Sequence, residues 1–157
     1  MKTVSAFQGD VFSNDTKSLV NRSGATTVKG SIGFIDLAQS DTDSTTLLAG
    51  LSNVIATATA QIDAGCMVVA KAAGVTDNSA GDYYVGEGVV CYVNVNSTTD
   101  IAKGDELKPV NAGDHMVKAA AGDRYHAIAL EARTSDDEGP ILALIFSFGR
   151  KSFKAWA

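Results

Sequence analysis

The amino-acid sequence predicts a mainly β protein: a compact antiparallel sandwich or barrel with at most one short helix and extended arms at both termini. In the second half of the chain, short apolar runs with strand-like alternation recur about every ten residues between turn-forming residues. The 157 residues are the length of about one domain, and 45% hydrophobic with 20% charged residues is typical of a globular chain. One sequence does not reveal strand pairing, so sandwich and barrel both remain open.

The strand prediction rests mainly on five runs in the second half: 89–95, 106–110, 115–119, 124–133 and 141–148. In the first run, alternation places Val89, Cys91, Val93 and Val95 on one face. The second and third runs flank the polar residues 111–114, which have the composition of a hairpin loop. Together these runs predict a meander of short antiparallel strands.

The first half of the chain is less regular. Residues 27–36 are typical of a strand with a bulge, since apolar residues surround two glycines. Between 45 and 58, apolar residues recur at helical spacing behind Ser44 or Thr45 as a possible N-cap, which predicts one short helix. Gly50 and the many threonines lower helix propensity there, so a strand remains the alternative for 45–58.

Charge divides the chain into three parts. Residues 1–35 carry four Lys or Arg against two Asp or Glu, 36–146 carry six against sixteen, and 147–157 carry three against none. We therefore predict an N-terminal arm at 1–26, a β-rich body at 27–148 and a basic, aromatic tail at 149–157. An acidic body disfavours nucleic-acid binding, so no specific nucleic acid is predicted as a partner. No run of 18 apolar residues occurs, so no membrane partner is predicted. The N-terminus has no apolar run of signal-peptide length, which predicts synthesis in a cytoplasm.

The chemistry-bearing residues predict a protein that is not an enzyme and holds no metal or cofactor. Phosphate-binding, dinucleotide-binding, nucleophile-elbow and zinc-protease motifs are all missing from the sequence. Cys66 and Cys91 lie in separate apolar runs, which favours buried thiols. His126 lies within the apolar run 125–130, which favours a hydrogen-bonded core or interface residue, and no nucleophile is marked beside His115. Gly104 to Leu107 resembles the start of a biotin or lipoate carrier hairpin. Such a carrier presents its modified lysine at the hairpin tip, whereas Lys118 lies beyond the predicted tip at 111–114, so no carrier function is predicted.

A weak internal repeat links the two halves of the chain. It has a glycine three residues after an isoleucine and an apolar residue three further on, in Ile62-x-x-Gly65-x-x-Val68 and Ile101-x-x-Gly104-x-x-Leu107. A partial third copy occupies 28–32. In each copy we expect the glycine to form the turn that admits a strand.

Three segments resemble the head decoration, or cement, proteins of tailed bacteriophages. They are N-R-S-G-A-T-T-V-K-G at 21–30, the Gly-Asp-x-Leu hairpin unit at 101–117, and the pair of runs within 124–148 that includes A-I-A-L-E-A. The resemblance implies a mostly β virion structural protein that binds the outer surface of an assembled capsid and stabilises it. It also implies that the partners are the major capsid protein and further copies of this chain, as a homotrimer on the capsid exterior, after synthesis in the host cytoplasm.

This function needs contacts to the shell and between subunits, and the predicted arms supply candidates. Aromatic residues and arginine anchor interfaces most often. The contact candidates are therefore Phe7, Phe12, Arg22, Lys29, Arg150, Lys151, Phe153, Lys154 and Trp156. The alternative functions are another phage structural or adhesion module, such as a tail, baseplate or head-fibre component, and a β-barrel module that binds a small molecule or peptide.

Overall fold

The structure is a computed structural model that describes residues 16–36, 53–96, 98–135, 137 and 139–151. Within these residues the elements are β1 (Thr16–Asn21), β2 (Ile32–Ile35), β3 (Asn53–Ile55), α1 (Thr59–Ala64), β4 (Met67–Ala70), β5 (Ala80–Tyr84), β6 (Glu87–Val95), β7 (Glu106–Pro109), β8 (Met116–Lys118), β9 (Arg124–Ala129) and β10 (Gly139–Lys151). The prediction of a mainly β chain with at most one short helix is confirmed for this part of the chain.

The strands form two closed barrels, which resolves the choice between sandwich and barrel. The first barrel has the order β1-β3-β2-β4-β5 and closes where β5 pairs with β1. The second has the order β10-β6-β8-β7-β9 and closes where β9 pairs with β10. Most pairs are antiparallel, as predicted, while β1 with β3 and β6 with β8 are parallel. Closure pairs each strand on both sides and so removes sheet edges.

Strands β2 and β4 form a wall between the two barrels and are buried on both faces. One face carries Phe34 and Met67, which join the core cluster that fills the second barrel. The other face carries Val68 and Ala70, which pack in the first barrel with Tyr83 and its neighbours. Because successive side chains of a strand point to opposite faces, a four-residue run such as M-V-V-A can serve two cores only if every position is apolar.

His126 of β9 joins the wall to the second barrel. Its ring is fully buried and meets the Phe34 ring edge-on, with the ring centroids 5.7 Å apart. Neither ring nitrogen has a hydrogen-bond partner among the described residues. Burial, and secondarily the charge of Arg124, lowers the pKa of His126 from 6.5 to about 4. The predicted core position is thus confirmed, the predicted hydrogen bond is wrong for the part of the chain that the structure describes, and the ring is neutral at pH 7.

A backbone turn at Gly30 fits the first barrel tightly against β6. The Gly30 amide donates to the Ala70 carbonyl at 3.0 Å, and its carbonyl accepts from the Asn94 amide at 2.8 Å. Its φ is +81°, and a Cβ there would lie 2.6 Å from the Asn94 backbone nitrogen. Glycine is required here both for its conformation and for the close approach.

The internal repeat is matched by structure only in part. Gly30 and Gly104 both have a left-handed φ, of +81° and +91°, and each turn leads into a strand with a buried apolar residue, Ile32 or Leu107. Gly65 instead ends α1 with a φ of −87°. The copies at 28–32 and 101–107 are therefore similar turns, and the copy at 62–68 is a helix followed by a strand.

The helix predicted within 45–58 is wrong where the structure describes it. Residues Asn53–Ile55 form β3, and the short helix α1 begins only at Thr59. The cause is tertiary: β3 pairs with both β1 and β2, and Val54 is buried in the first barrel. Cross-strand pairing outweighs helical spacing in so short a segment. Residues 45–52 lie outside the described residues.

The predicted arm and tail boundaries also change. Thr16–Asn21 is a strand of the first barrel, so the folded body includes residues assigned above to the arm 1–26. The buried Asn21 side chain donates hydrogen bonds to the carbonyl of Ala25, in the loop after β1, and to the carbonyl of Val75, in the loop after β4. At the other end, β10 continues to Lys151, beyond the predicted limit at 148. Residues 1–15 and 152–157 lie outside the described residues.

We predict that Gly30→Ala destabilises the protein more than Gly104→Ala. Both substitutions place a side chain at positive φ, which costs about 1–2 kcal/mol, but a Cβ at Gly104 meets nothing within 4 Å. The clash at Gly30 adds about 1–3 kcal/mol. Urea unfolding of the two variants measures the difference, and equal losses of stability would contradict the tight packing of this turn.

We predict that His126 makes the protein less stable in mild acid. The unfolded chain binds a proton near pH 6.5, whereas the folded chain binds it only near pH 4, so stability falls as pH drops between these values. The full loss is about 3 kcal/mol. His126→Phe keeps an aromatic ring against Phe34 and should flatten the dependence. Urea unfolding at several pH values compares the variant with wild type, and parallel curves would contradict this prediction.

Candidate interaction surfaces

The contact candidates that the structure describes lie in three separate places. Arg22 follows β1 and donates to the side-chain oxygen of Asn78, so its guanidinium is engaged within the first barrel. Lys29 lies in the turn before β2, and Arg150 with Lys151 ends β10. The structure does not bring these groups together into one site. The candidates outside the described residues are Phe7, Phe12, Phe153, Lys154 and Trp156.

The first surface lies where the two barrels meet. The Lys29 ammonium is 4.2 Å from the centre of the Tyr92 ring, and Tyr92 is 39% exposed. Lys71 lies 5.9 Å from the centre of the Tyr84 ring. These four side chains line one groove of about 200 Å³. Two cations above two aromatic rings form stabilising cation–π contacts and leave the ammonium groups available to an acidic partner.

The second surface is the end of β10. Phe148 is 57% exposed, the highest exposure of any large hydrophobic residue among those described. The Arg150 guanidinium covers the neighbouring Phe146 ring at 3.8 Å and lies 3.9 Å from the Glu87 carboxylate. Glu87 also accepts a hydrogen bond from the Phe148 amide at 2.9 Å. An aromatic ring and an arginine held in fixed positions have the composition of an interface anchor.

A bulge in β10 explains why Phe148 faces solvent. Ile145 pairs with Ala127 and Arg150 with Tyr125, so the β10 residues 146–149 lie opposite a single residue of β9. The surplus backbone turns outward through Gly149, which has a φ of +69°. A Cβ at Gly149 would lie 2.6 Å from Nε2 of His126, so only glycine fits. Bulges often re-aim side chains at functional surfaces.

A cavity of about 370 Å³ lies between the first barrel and the tip of the β7–β8 hairpin. The Ser31 hydroxyl donates to Asp114 at 2.8 Å, and Nδ1 of His115 is 3.6 Å from the other Asp114 oxygen. The Asp114 carbonyl also accepts from the Ile32 amide at 2.8 Å. Asp114 lies between the serine and the histidine, whereas activation of a serine needs the histidine beside the hydroxyl. The cluster therefore holds the hairpin against the first barrel.

The two cysteines are buried, and Lys118 is paired with a carboxylate. Burial raises the pKa of Cys91 to about 12 and also raises the pKa of Cys66, so both thiols are protonated at neutral pH, in line with the predicted buried cysteines. Lys118 is 2.6 Å from Asp105 and lies in β8, which does not suit a carrier lysine. The described residues contain no group of three or more His, Cys, Asp or Glu placed to bind a metal, and no helix among them is long and apolar enough to cross a membrane.

Comparison with known proteins gives a likeness of fold. No family model matches the sequence, and no curated protein matches it. Among solved structures, the N base of the head fiber protein gp8.5 of bacteriophage phi29 is similar, with a TM-score of 0.53 and 13% identity. The match covers 87% of this chain and 98% of that chain. At this identity the likeness concerns the fold alone, and this chain shares the overall fold of that head-fibre base.

Proposed function

We propose that this chain is a structural protein of a bacteriophage virion that binds the outer surface of the assembled capsid and stabilises it as a trimer. The observation that carries the proposal is the fold likeness to a phage head-fibre N base, which extends over 98% of that solved chain. The three segments that resemble head decoration proteins support the same class of function. A binding role of this kind needs stable surfaces, and the two closed barrels provide a scaffold for them.

The end of β10 is the proposed shell contact. It presents the exposed ring of Phe148 beside the cations Arg150 and Lys151, and Lys154 and Trp156 follow in the sequence. The rest of the chain is acidic, so this end differs in charge from the body that carries it. It suits an acidic capsid surface with an apolar pocket, in which the aromatic ring supplies most of the binding energy and the cations set orientation.

We predict saturable binding of the purified protein to expanded capsids that lack it. Phe148→Ser removes the proposed anchor and should weaken binding at least tenfold, which corresponds to about 1.4 kcal/mol. Lys151→Glu should weaken binding and reduce its salt dependence. Co-sedimentation with capsids at several protein concentrations measures these affinities.

Lys17→Glu is the matched control, because Lys17 is exposed on β1 of the first barrel and undergoes the same charge reversal. It should bind capsids like wild type. Equal binding by all the variants would exclude the β10 end as the contact. No binding by the wild-type protein would overturn the proposed function itself.

A second candidate function is the base of a head fibre, which the fold likeness to the phi29 head-fibre base favours. The two functions differ in what they do to the shell. A capsid-stabilising protein should raise the temperature at which filled capsids release DNA, because it binds the intact shell and not the opened one. Heating capsids with and without bound protein, with DNA release followed by a fluorescent dye, tests this. An unchanged release temperature despite full occupancy would favour the fibre base.

A further inference from the structure

The outward surface of the second barrel is apolar across three neighbouring strands. On β6 and β10, Tyr92 lies opposite Leu142, and Val90 lies opposite Leu144. On β9, Ile128 lies opposite Leu144. The Leu130 amide, just past β9, donates to the Leu142 carbonyl at 2.9 Å. We call this surface the outer apolar face, and its members are Val90, Tyr92, Ile128, Leu130, Leu142 and Leu144.

These six residues are not part of the barrel interior. The residues that alternate with them, such as Cys91, Ala129 and Ala143, are buried and belong to the core cluster. Tyr92 is 39% exposed, and the other five are partly exposed. In an antiparallel strand with one solvated face, polar residues occupy the outward positions. Here β10 reads I-L-A-L-I-F over 141–146, the pattern of a sheet that is covered on both sides.

The two edges of the outer apolar face carry opposite charges. At the β6 edge, Lys29 lies over Tyr92, and Lys71 lines the same groove as Tyr92 and Leu142. At the β9 edge, the Glu131 carboxylate accepts from the Leu142 amide at 2.9 Å, and Glu106 is the register partner of Ile128. One Glu106 carboxylate oxygen is buried without a hydrogen-bond partner among the described residues.

We propose that the outer apolar face is the contact between copies of this chain, with the basic edge of one copy against the acidic edge of the next. This inference rests on the self-association part of the proposed function and not on capsid binding. An apolar centre within a charged rim is the composition of protein interfaces. Because both charge signs lie on the same face of one chain, a second copy supplies the complement that each edge needs. Such complementary edges fix how one copy is oriented on the next.

Molar mass in solution tests the inference with two kinds of variant. Size-exclusion chromatography with light scattering should give an oligomer for the wild-type protein. Leu144→Lys places a charge in the centre of the face and should yield monomers at concentrations where wild type is assembled. Circular dichroism and a thermal melt establish that this variant is folded. Lys17→Glu, on the first barrel, is the control and should leave the oligomer intact.

A charge exchange tests the orientation in a way that misfolding cannot imitate. Lys29→Glu and Glu131→Lys should each raise the dissociation constant of the oligomer about tenfold, because each places like charges opposite one another. The combined variant restores opposite charges and should return the dissociation constant to within about threefold of wild type.

A monomeric wild-type protein, or an oligomer unaffected by Leu144→Lys, would overturn the inference. If that monomer still bound capsids, capsid binding would stand while self-association through this face would fail. Suppose that the wild-type protein is a monomer that binds capsids and that the Leu144→Lys variant does not bind them. The occupant of the outer apolar face would then be the capsid protein, and the inference would be wrong. Two copies instead of three, dissociated by Leu144→Lys, would support the face and contradict the proposed trimer.

Discussion

The fold depends on the wall formed by strands β2 and β4, whose side chains are buried on both faces. Phe34 and Met67 belong to the core of the second barrel, while Val68 and Ala70 close the first. Removing either barrel would expose an apolar face of the other, so the two cores depend on the same pair of strands. The Gly30 turn brings the barrels into backbone contact, since Asn94 of β6 donates to its carbonyl. A side chain at this point would force them apart.

Because both faces of these strands are buried, the candidate interaction surfaces lie at strand ends and on outward faces. The β10 end presents an aromatic ring and cations because surplus residues opposite His126 turn the strand outward. The outer apolar face arises on the straight part of the same strand, where Leu142 and Leu144 point away from the barrel. Two surfaces of different chemistry on one strand suit two different partners. We propose that the basic, aromatic end binds an acidic capsid surface and that the apolar face with its charged edges binds another copy.

Composition identifies residue types but not their partners, so only the tertiary structure gives the neighbours of each contact candidate. Lys29 and Arg150 are exposed beside aromatic rings of the same chain, and their contact with a partner stays a prediction. Arg22 is engaged by Asn78, a residue far along the chain. The outer apolar face was missed, although a signal for it was present. The unbroken run at 141–146 reads as core until the register shows that alternate residues point outward.

The sequence alone determined that the chain is mainly β, because alternation and turn residues are local properties of a strand and its ends. It also identified the turn glycines at 30 and 104, since left-handed backbone selects glycine locally. The tertiary structure decided that there are two closed barrels, that 53–55 is a strand, and that residues 16–26 belong to the body. These outcomes depend on pairing between segments far apart in the chain. An apolar residue in the sequence does not show which of the two cores, or which neighbouring molecule, covers its side chain.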